Sequence, residues 1–359
     1  MRFLSPAARV LALLVAISAP GVALMAGNAA RADTRGSAKT GRGAVASSAA
    51  GPVFPGTHCP AFPADNVWNT PVTGLPVDPH SAQWLRNMAA GSTYLHPDDG
   101  PGGGSSPYGI PWQITPAHPR FVKVHFGYAD QSDRGPYPFA ANTPIEGGAM
   151  ANGDRHALMV DPTTCVLYEL YDAYYHAGNR STAGSGAIWH LESNRLRPAG
   201  WTSADAAGLP ILPGLVNYDE VMSGHIDHAI RFTADTTDTS YIWPARHEAG
   251  SVNSPDYPPM GARFRLSAGF HLPSSECAKP CQVVIQAMKT YGLILADNGS
   301  NWYFQGTADA RWTYTMVDQL KQIPASAFQA VDESCLVISR SSGQARQPGT
   351  SAYDHACLS

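Results

Sequence analysis

Histidines and carboxylates are the residues of this chain with the most chemical potential, and they concentrate between positions 187 and 247. The segment opens with Ala187-Ile-Trp-His-Leu-Glu192 and passes through a long apolar and aromatic stretch to Asp219-Glu220. It closes with Gly224-His-Ile-Asp-His-Ala-Ile-Arg231 and Tyr241-Ile-Trp-Pro-Ala-Arg-His247. Side chains alternate between the two faces of a strand. On a strand over 226–232, His228 would share a face with Ile226, Ile230 and Phe232. His156 would lie with Leu158 and Val160, and on a strand running past Pro244 His247 would lie with Tyr241 and Trp243. A single histidine on an apolar face is usually a satisfied core residue. Three of them predict a shared concave face.

Two kinds of glycan cleavage fit these residue types. Hydrolysis normally uses one carboxyl as acid and another as base or nucleophile. Elimination needs a base at a sugar C5 and a group that neutralises a uronate. The expected acid or base is Glu220 or Asp219, with His228, His247 and His156 transferring protons or polarising the substrate. Arg246 would hold an anionic group, and Trp243, Tyr241 and Trp201 would offer flat faces to sugar rings. Glu192 and Asp205 lie in the same long segment. The bland alternatives are a solvated turn pair for Asp219 and Glu220 and a structural ion pair for Arg231 and Arg246. His156, His228 and His247 could also be imidazole ligands of a divalent metal such as zinc, although no cofactor is required by the main reading.

These side chains need a scaffold, and the strand signals supply one. Phe121–Phe126, Arg155–Val160, Cys165–Tyr171, Ile226–Phe232, Ser240–Trp243 and Ala262–Leu266 all read as short strands between Gly, Pro, Asn and Asp turns. The second and third form a hairpin across Asp161-Pro162. The expectation is a mainly β fold, with a β-sandwich or jelly-roll-like core and a few peripheral helices. Helices are expected after Asp78-Pro79, from Pro280 to Gly292, and along Met316, Val317, Leu320 and Ile323 up to Pro324.

The 359 residues divide into three parts. Residues 1–32 read as a secretory signal peptide: Arg2 and Arg9, an apolar run from Val10 to Ala19, and a small-x-small site at Ala30-Arg31-Ala32. Residues 33–57 read as a flexible linker poor in apolar side chains. Residues 58–359 read as one β-rich domain. Losing 1–32, with three arginines and no acid, takes the formal net charge from −4 to −7. With charged residues at only 14% and no long basic run, nucleic-acid binding lacks an electrostatic footprint. No later segment is apolar for long enough to cross a bilayer. The expected product is therefore an extracellular monomer whose partner is a polysaccharide or oligosaccharide.

Six cysteines in an exported chain point to disulfides, with 15 pairings open. Cys277 and Cys281 could close a local loop; Cys335 with Cys357 and Cys59 with Cys165 are the expected remainder. A G-x-S-x-G elbow, an H-E-x-x-H pair and a phosphate-binding loop are all missing, and the Gly-rich run Pro101–Ser106 reads as a plain loop.

The stretch Gly200-Trp-Thr-Ser-Ala-Asp-Ala-Ala-Gly-Leu-Pro-Ile-Leu-Pro-Gly214, with Tyr241–His247 and Leu295-Ala-Asp-Asn-Gly-Ser-Asn-Trp302, resembles a family of secreted bacterial proteins of unassigned activity. The resemblance spans most of 60–330. It implies a shared fold and site and names no substrate. It also implies acidic or amide residues at the positions of His190 and His225, which leaves His156, His228 and His247 as the better ligand candidates.

Overall fold

Residues 51–102 and 107–358 are described by the computed structural model. The signal peptide expected over 1–32, the linker over 33–50 and the glycine-rich tip at 103–106 lie outside the described residues. Residues 51–57, expected to belong to the linker, are folded in. Phe54 is buried against the core, and Val53 bridges Pro60.

Among the described residues the strands are β1 (His96–Asp98), β2 (Trp112–Ile114), β3 (Val124–Phe126), β4 (Ala157–Asp161), β5 (Val166–Tyr171), β6 (Ser181–Ala183) and β7 (Ser185–His190). They continue with β8 (Ile230–Ala234), β9 (Arg263–Leu266), β10 (Leu293–Asn298), β11 (Tyr303–Gln305) and β12 (Phe328–Val331). A six-stranded sheet has the order β1-β11-β8-β10-β9-β12, a four-stranded sheet the order β2-β4-β5-β7, and β3 pairs with β6. The mainly β expectation holds, and β4–β5 is the expected hairpin. The sheets are mixed and open, however. The pairs β1/β11, β8/β10, β2/β4 and β3/β6 are parallel, unlike the antiparallel ladders of a jelly roll.

Among the described residues the helices are short and peripheral. They are α1 (Ser81–Asn87), α2 (Tyr218–Ser223), α3 (Lys279–Thr290), α4 (Tyr314–Leu320) and α5 (Ser351–Cys357). In α3 a proline stands in the first turn, and Gly292 adopts a φ of 71° just beyond the end, where a side chain would be strained. Its Val284, Ala287 and Met288 are buried, as the stripe requires.

Three expected strands differ, the one over 121–126 beginning only at Val124. The strand over 226–232 begins only at Ile230, so His228 precedes it. The strand expected over 240–243 is reduced to a single bridge from Tyr241 to Met260, and it does not run past Pro244, which has no N–H for a ladder.

The two faces of the six-stranded sheet differ in chemistry. Phe232, Phe264, Trp302 and Phe328 pack on one another with ring centroids 5.3 to 5.6 Å apart. The opposite face carries a polar row in direct register. Asp98 on β1 pairs with Gln305 on β11, and Gln305 bonds Arg231 on β8. The long segment 196–217 covers this row. Leu209, Ile211, Leu212 and Leu215 are buried beneath it. Glu169 of β5, fully buried, pins the segment by accepting hydrogen bonds from Ile211 N, Leu212 N and Trp189 Nε1. Gly214 is required there: a Cβ would sit 2.7 Å from the Trp68 ring and 3.0 Å from Arg231 Cβ.

The disulfides Cys59–Cys165, Cys277–Cys281 and Cys335–Cys357 are formed as expected. The first joins residues 106 apart. In the chain-entropy account a closure of that length removes about 4–5 kcal/mol of unfolded-state freedom. Disulfides of this kind belong to oxidising compartments. Among the described residues no helix is long and apolar enough to cross a membrane.

Candidate functional site

A β-bulge creates the site. Along β10 the register with β8 runs Leu293 to Ile230, Ile294 to Arg231 and Leu295 to Phe232, and then jumps so that Asp297 faces Thr233. Ala296 is the extra residue, and its carbonyl accepts Ala207 N at 2.9 Å from the covering segment. Simple alternation would put Asp297 on the apolar face with Leu293 and Leu295. The bulge turns it onto the polar face beside Arg231.

Arg231, 2% exposed, is the centre of the charged group. Its Nε and Nη2 donate to the two oxygens of Asp205 at 2.8 and 2.6 Å, and its Nη1 donates to Gln305 Oε1 at 2.5 Å. Nη2 also lies 3.6 Å from Asp297 Oδ2. Asp205 is 1% exposed, whereas the Asp297 side chain keeps 24% of its surface. Burial and the adjacent Asp205 carboxyl push Asp297 well above the ordinary carboxylate range, against the pull of Arg231. Asp297 is thus a carboxyl that holds its proton more tightly than an ordinary aspartate, with an open side.

That side faces a cavity of about 280 Å³, near the small end of ligand-pocket sizes. Tyr128, Tyr171, Gln131, Asn298, Ser185, Ser203, Thr202, Asp154 and His247 line it with Asp205 and Asp297, and among the described residues no Arg or Lys does. His247 Nδ1 lies 2.9 Å from Ala206 O. A carbonyl only accepts, so Nδ1 carries a proton, and in the neutral ring the lone pair is therefore on Nε2.

The other two histidines are of a different kind. His156 is 3% exposed, with Nδ1 2.6 Å from Glu146 Oε2 and Nε2 3.1 Å from Ala204 O. Both partners are acceptors, so both nitrogens carry protons. Burial works against that charge, but Glu146 overrides it and lifts His156 to about 9. Burial also opposes the charge on Glu146, whose pKa His156 nevertheless lowers. His228 repeats the arrangement, bonding Ala229 O at 2.8 Å and Glu220 at 3.3 Å, with its pKa raised against burial by Glu220. Neither ring has a lone pair for a metal. Among the described residues, one group offers three ligand atoms within 4.8 Å of one another, namely His58, Cys59 and Cys165, and both sulfurs are in a disulfide. The three-histidine metal set does not assemble.

Of the residues expected from sequence, His247 lines the cavity, and His156 stands behind it, 5.8 Å from the Tyr171 ring. Glu220 is used by His228, and Asp219 pairs with Arg311 at the surface at 2.7 Å. Arg246 donates to the carbonyls of Arg197 and Arg340, and Trp243 Nε1 to Ser342 O, so both fasten the 340s segment. Tyr241 is half-buried against the core. Trp201 lies in a neighbouring cleft with Trp189 and several arginines. Asp297, Tyr128 and Tyr171 were not anticipated as site residues. The motif Leu295–Trp302 contains Asp297, but alternation alone sends it the wrong way.

The chain matches no family model, no curated protein and no solved structure.

Proposed function

We propose that this protein is an exported carbohydrate-active enzyme that hydrolyses glycosidic bonds of a polysaccharide or oligosaccharide. The observation that carries the reading is the presence, in the lining of one open cavity, of the Asp297 carboxyl, its pKa raised by burial and by Asp205, and of a histidine whose Nε2 is unengaged. Asp297 donates its proton to the glycosidic oxygen as the bond to the anomeric carbon breaks. His247 Nε2 takes a proton from the water whose oxygen bonds that carbon. Most glycoside hydrolases use two carboxyls for these roles. Here Asp205 is consumed by Arg231 and serves to hold Asp297 protonated.

The lining supports a polyhydroxylated ligand. Hydroxyls, amides and carboxylates can bond sugar hydroxyls, and Tyr128 and Tyr171 offer ring faces. Hydrolysis is favoured over elimination because no lining cation would neutralise a uronate beside the base. Export rests on the signal-like start of the sequence and on the disulfides.

A polysaccharide panel tests this when read both for reducing ends and for the absorbance of unsaturated uronates. Reducing ends without unsaturated products are expected from at least one glycan. Unsaturated products would make it a lyase. Binding with neither product would make it a glycan-binding protein.

A further inference from the structure

Beside the cavity lies a larger cleft of about 610 Å³ with the opposite electrostatic character. Arg134, Arg195, Arg197, His190, Trp189 and Trp201 dominate it. Arg197 is committed: it pairs with Asp133, donates to Gln131 O and Thr202 O, and lies 5.6 Å from the ring centres of both Trp189 and Trp201. Asp133, the acid of the lining, is thereby neutralised. Arg134 and Arg195 are exposed, and neither guanidinium has a carboxylate or carbonyl partner among the described residues. The exposed imidazole of His190 lies with them. Two uncommitted guanidiniums beside a half-exposed indole form a receptor for a sugar that carries an oxyanion. The indole stacks on the ring, and the planar forks bind carboxylate or sulfate through paired N–H donors.

The cleft adjoins the cavity. Gln131 and Thr202 line the cavity, whereas Asp133 and Trp201, close neighbours in sequence, line the cleft. Thr202 N donates to Gln131 Oε1 at 3.0 Å, so these two residues form a shared wall. Ser185 and Ile188 of β7 similarly face the cavity and the cleft. The lining of the cavity includes the carboxyl groups of Asp154, Asp205 and Asp297 and, among the described residues, no arginine or lysine, so it offers an anionic sugar no guanidinium or ammonium partner.

We infer that the Arg134–Arg195 cleft is a binding subsite for an acidic sugar residue, so that the substrate is a polysaccharide placing a neutral sugar in the cavity and an anionic one in the cleft. This assignment rests on the hydrolase reading for the order of the sugars. The binding of acidic glycans by the cleft stands without it.

The test is binding of the full protein to sized oligosaccharides of hyaluronate, polygalacturonate, dextran sulfate and unmodified dextran, measured by calorimetry at low and physiological salt. Acidic probes should bind at least about 10-fold more tightly than dextran, and less tightly as salt rises. The R134A/R195A double variant should lose that 10-fold preference. Both side chains are exposed and unpaired, so folding should be preserved, which circular dichroism checks. The polygalacturonate and dextran sulfate arms distinguish carboxylate from sulfate recognition. Equal binding of dextran and the acidic probes, absence of binding by every acidic probe, or an unchanged double variant would overturn the inference. The two readings fail separately. Acidic glycans bound but never cleaved would sink the hydrolase alone, whereas cleavage with a KM indifferent to R134A/R195A would sink the cleft alone.

Discussion

Raising the pH should weaken the fold before any tyrosine ionises, and the His156–Glu146 pair sets the size of the effect. His156 is buried with two acceptors on its ring and is lifted to about 9 from an ordinary 6.5. A pKa raised on folding contributes stability that is complete below the unfolded value and lost as pH climbs through the folded one. The gap corresponds to roughly 3 kcal/mol at about 1.4 kcal/mol per pH unit. About 2 kcal/mol of that should disappear between pH 7.5 and 9.5. Buried Asp99, Glu169 and Glu333 are pushed by burial to about 7, so their pH dependence falls mainly below this window. His228, raised by Glu220, acts in the same direction as His156. The assay is thermal or urea unfolding across this range in a constant-ionic-strength buffer. A loss of about 2 kcal/mol corresponds to a Tm lower by about 3 °C for a folded chain of this size. H156Q cannot titrate and should flatten most of the slope. A stability profile that is level from pH 7.5 to 9.5, or a slope equally steep in H156Q, would refute the doubly protonated assignment.

Other substitutions separate chemistry from architecture. D297N should lower turnover by about 10²- to 10⁴-fold. Its stability at pH 7 should equal or exceed the parent's, because the aspartate's raised pKa is a cost above the unfolded value; a cooperative-unfolding measurement beside the activity assay checks both. E169Q should destabilise by about 2 kcal/mol in urea unfolding, since an amide cannot accept from Ile211 N, Leu212 N and Trp189 Nε1 together. E220Q should weaken the fold by removing the partner of the His228 imidazolium, yet leave kcat within about threefold, because the pair lies outside the cavity lining. A large kcat loss in a folded E220Q would move the chemistry to that pair.

The sequence was most informative where the physics is local. The α3 stripe, its Pro and Gly boundaries and the β4–β5 hairpin depend on nearest neighbours, and each formed. The cysteine pairings also emerged, helped by the closeness of Cys277 to Cys281. The site was less legible for two reasons. Asp297 reaches the polar face only because Ala296 is inserted, and a single extra residue inverts every parity argument. The histidines were visible as a group, but their roles depend on distant acceptors: Glu146 and Ala204 O for His156, Glu220 for His228, and a single carbonyl for His247. The aromatic promise of 241–247 misled because Pro244 ends the strand pattern and Trp243 and Arg246 are spent on backbone carbonyls of 340–342.

Carbon-13 spectroscopy of aspartate-labelled protein, with the Asp297 signal assigned by its loss in D297N, measures the proton on which the account depends. This carboxyl should remain protonated well above pH 4, and its titration should shift downward when Asp205 is replaced by asparagine. An Asp297 signal that titrates near 3.8 with the surface aspartates would contradict it.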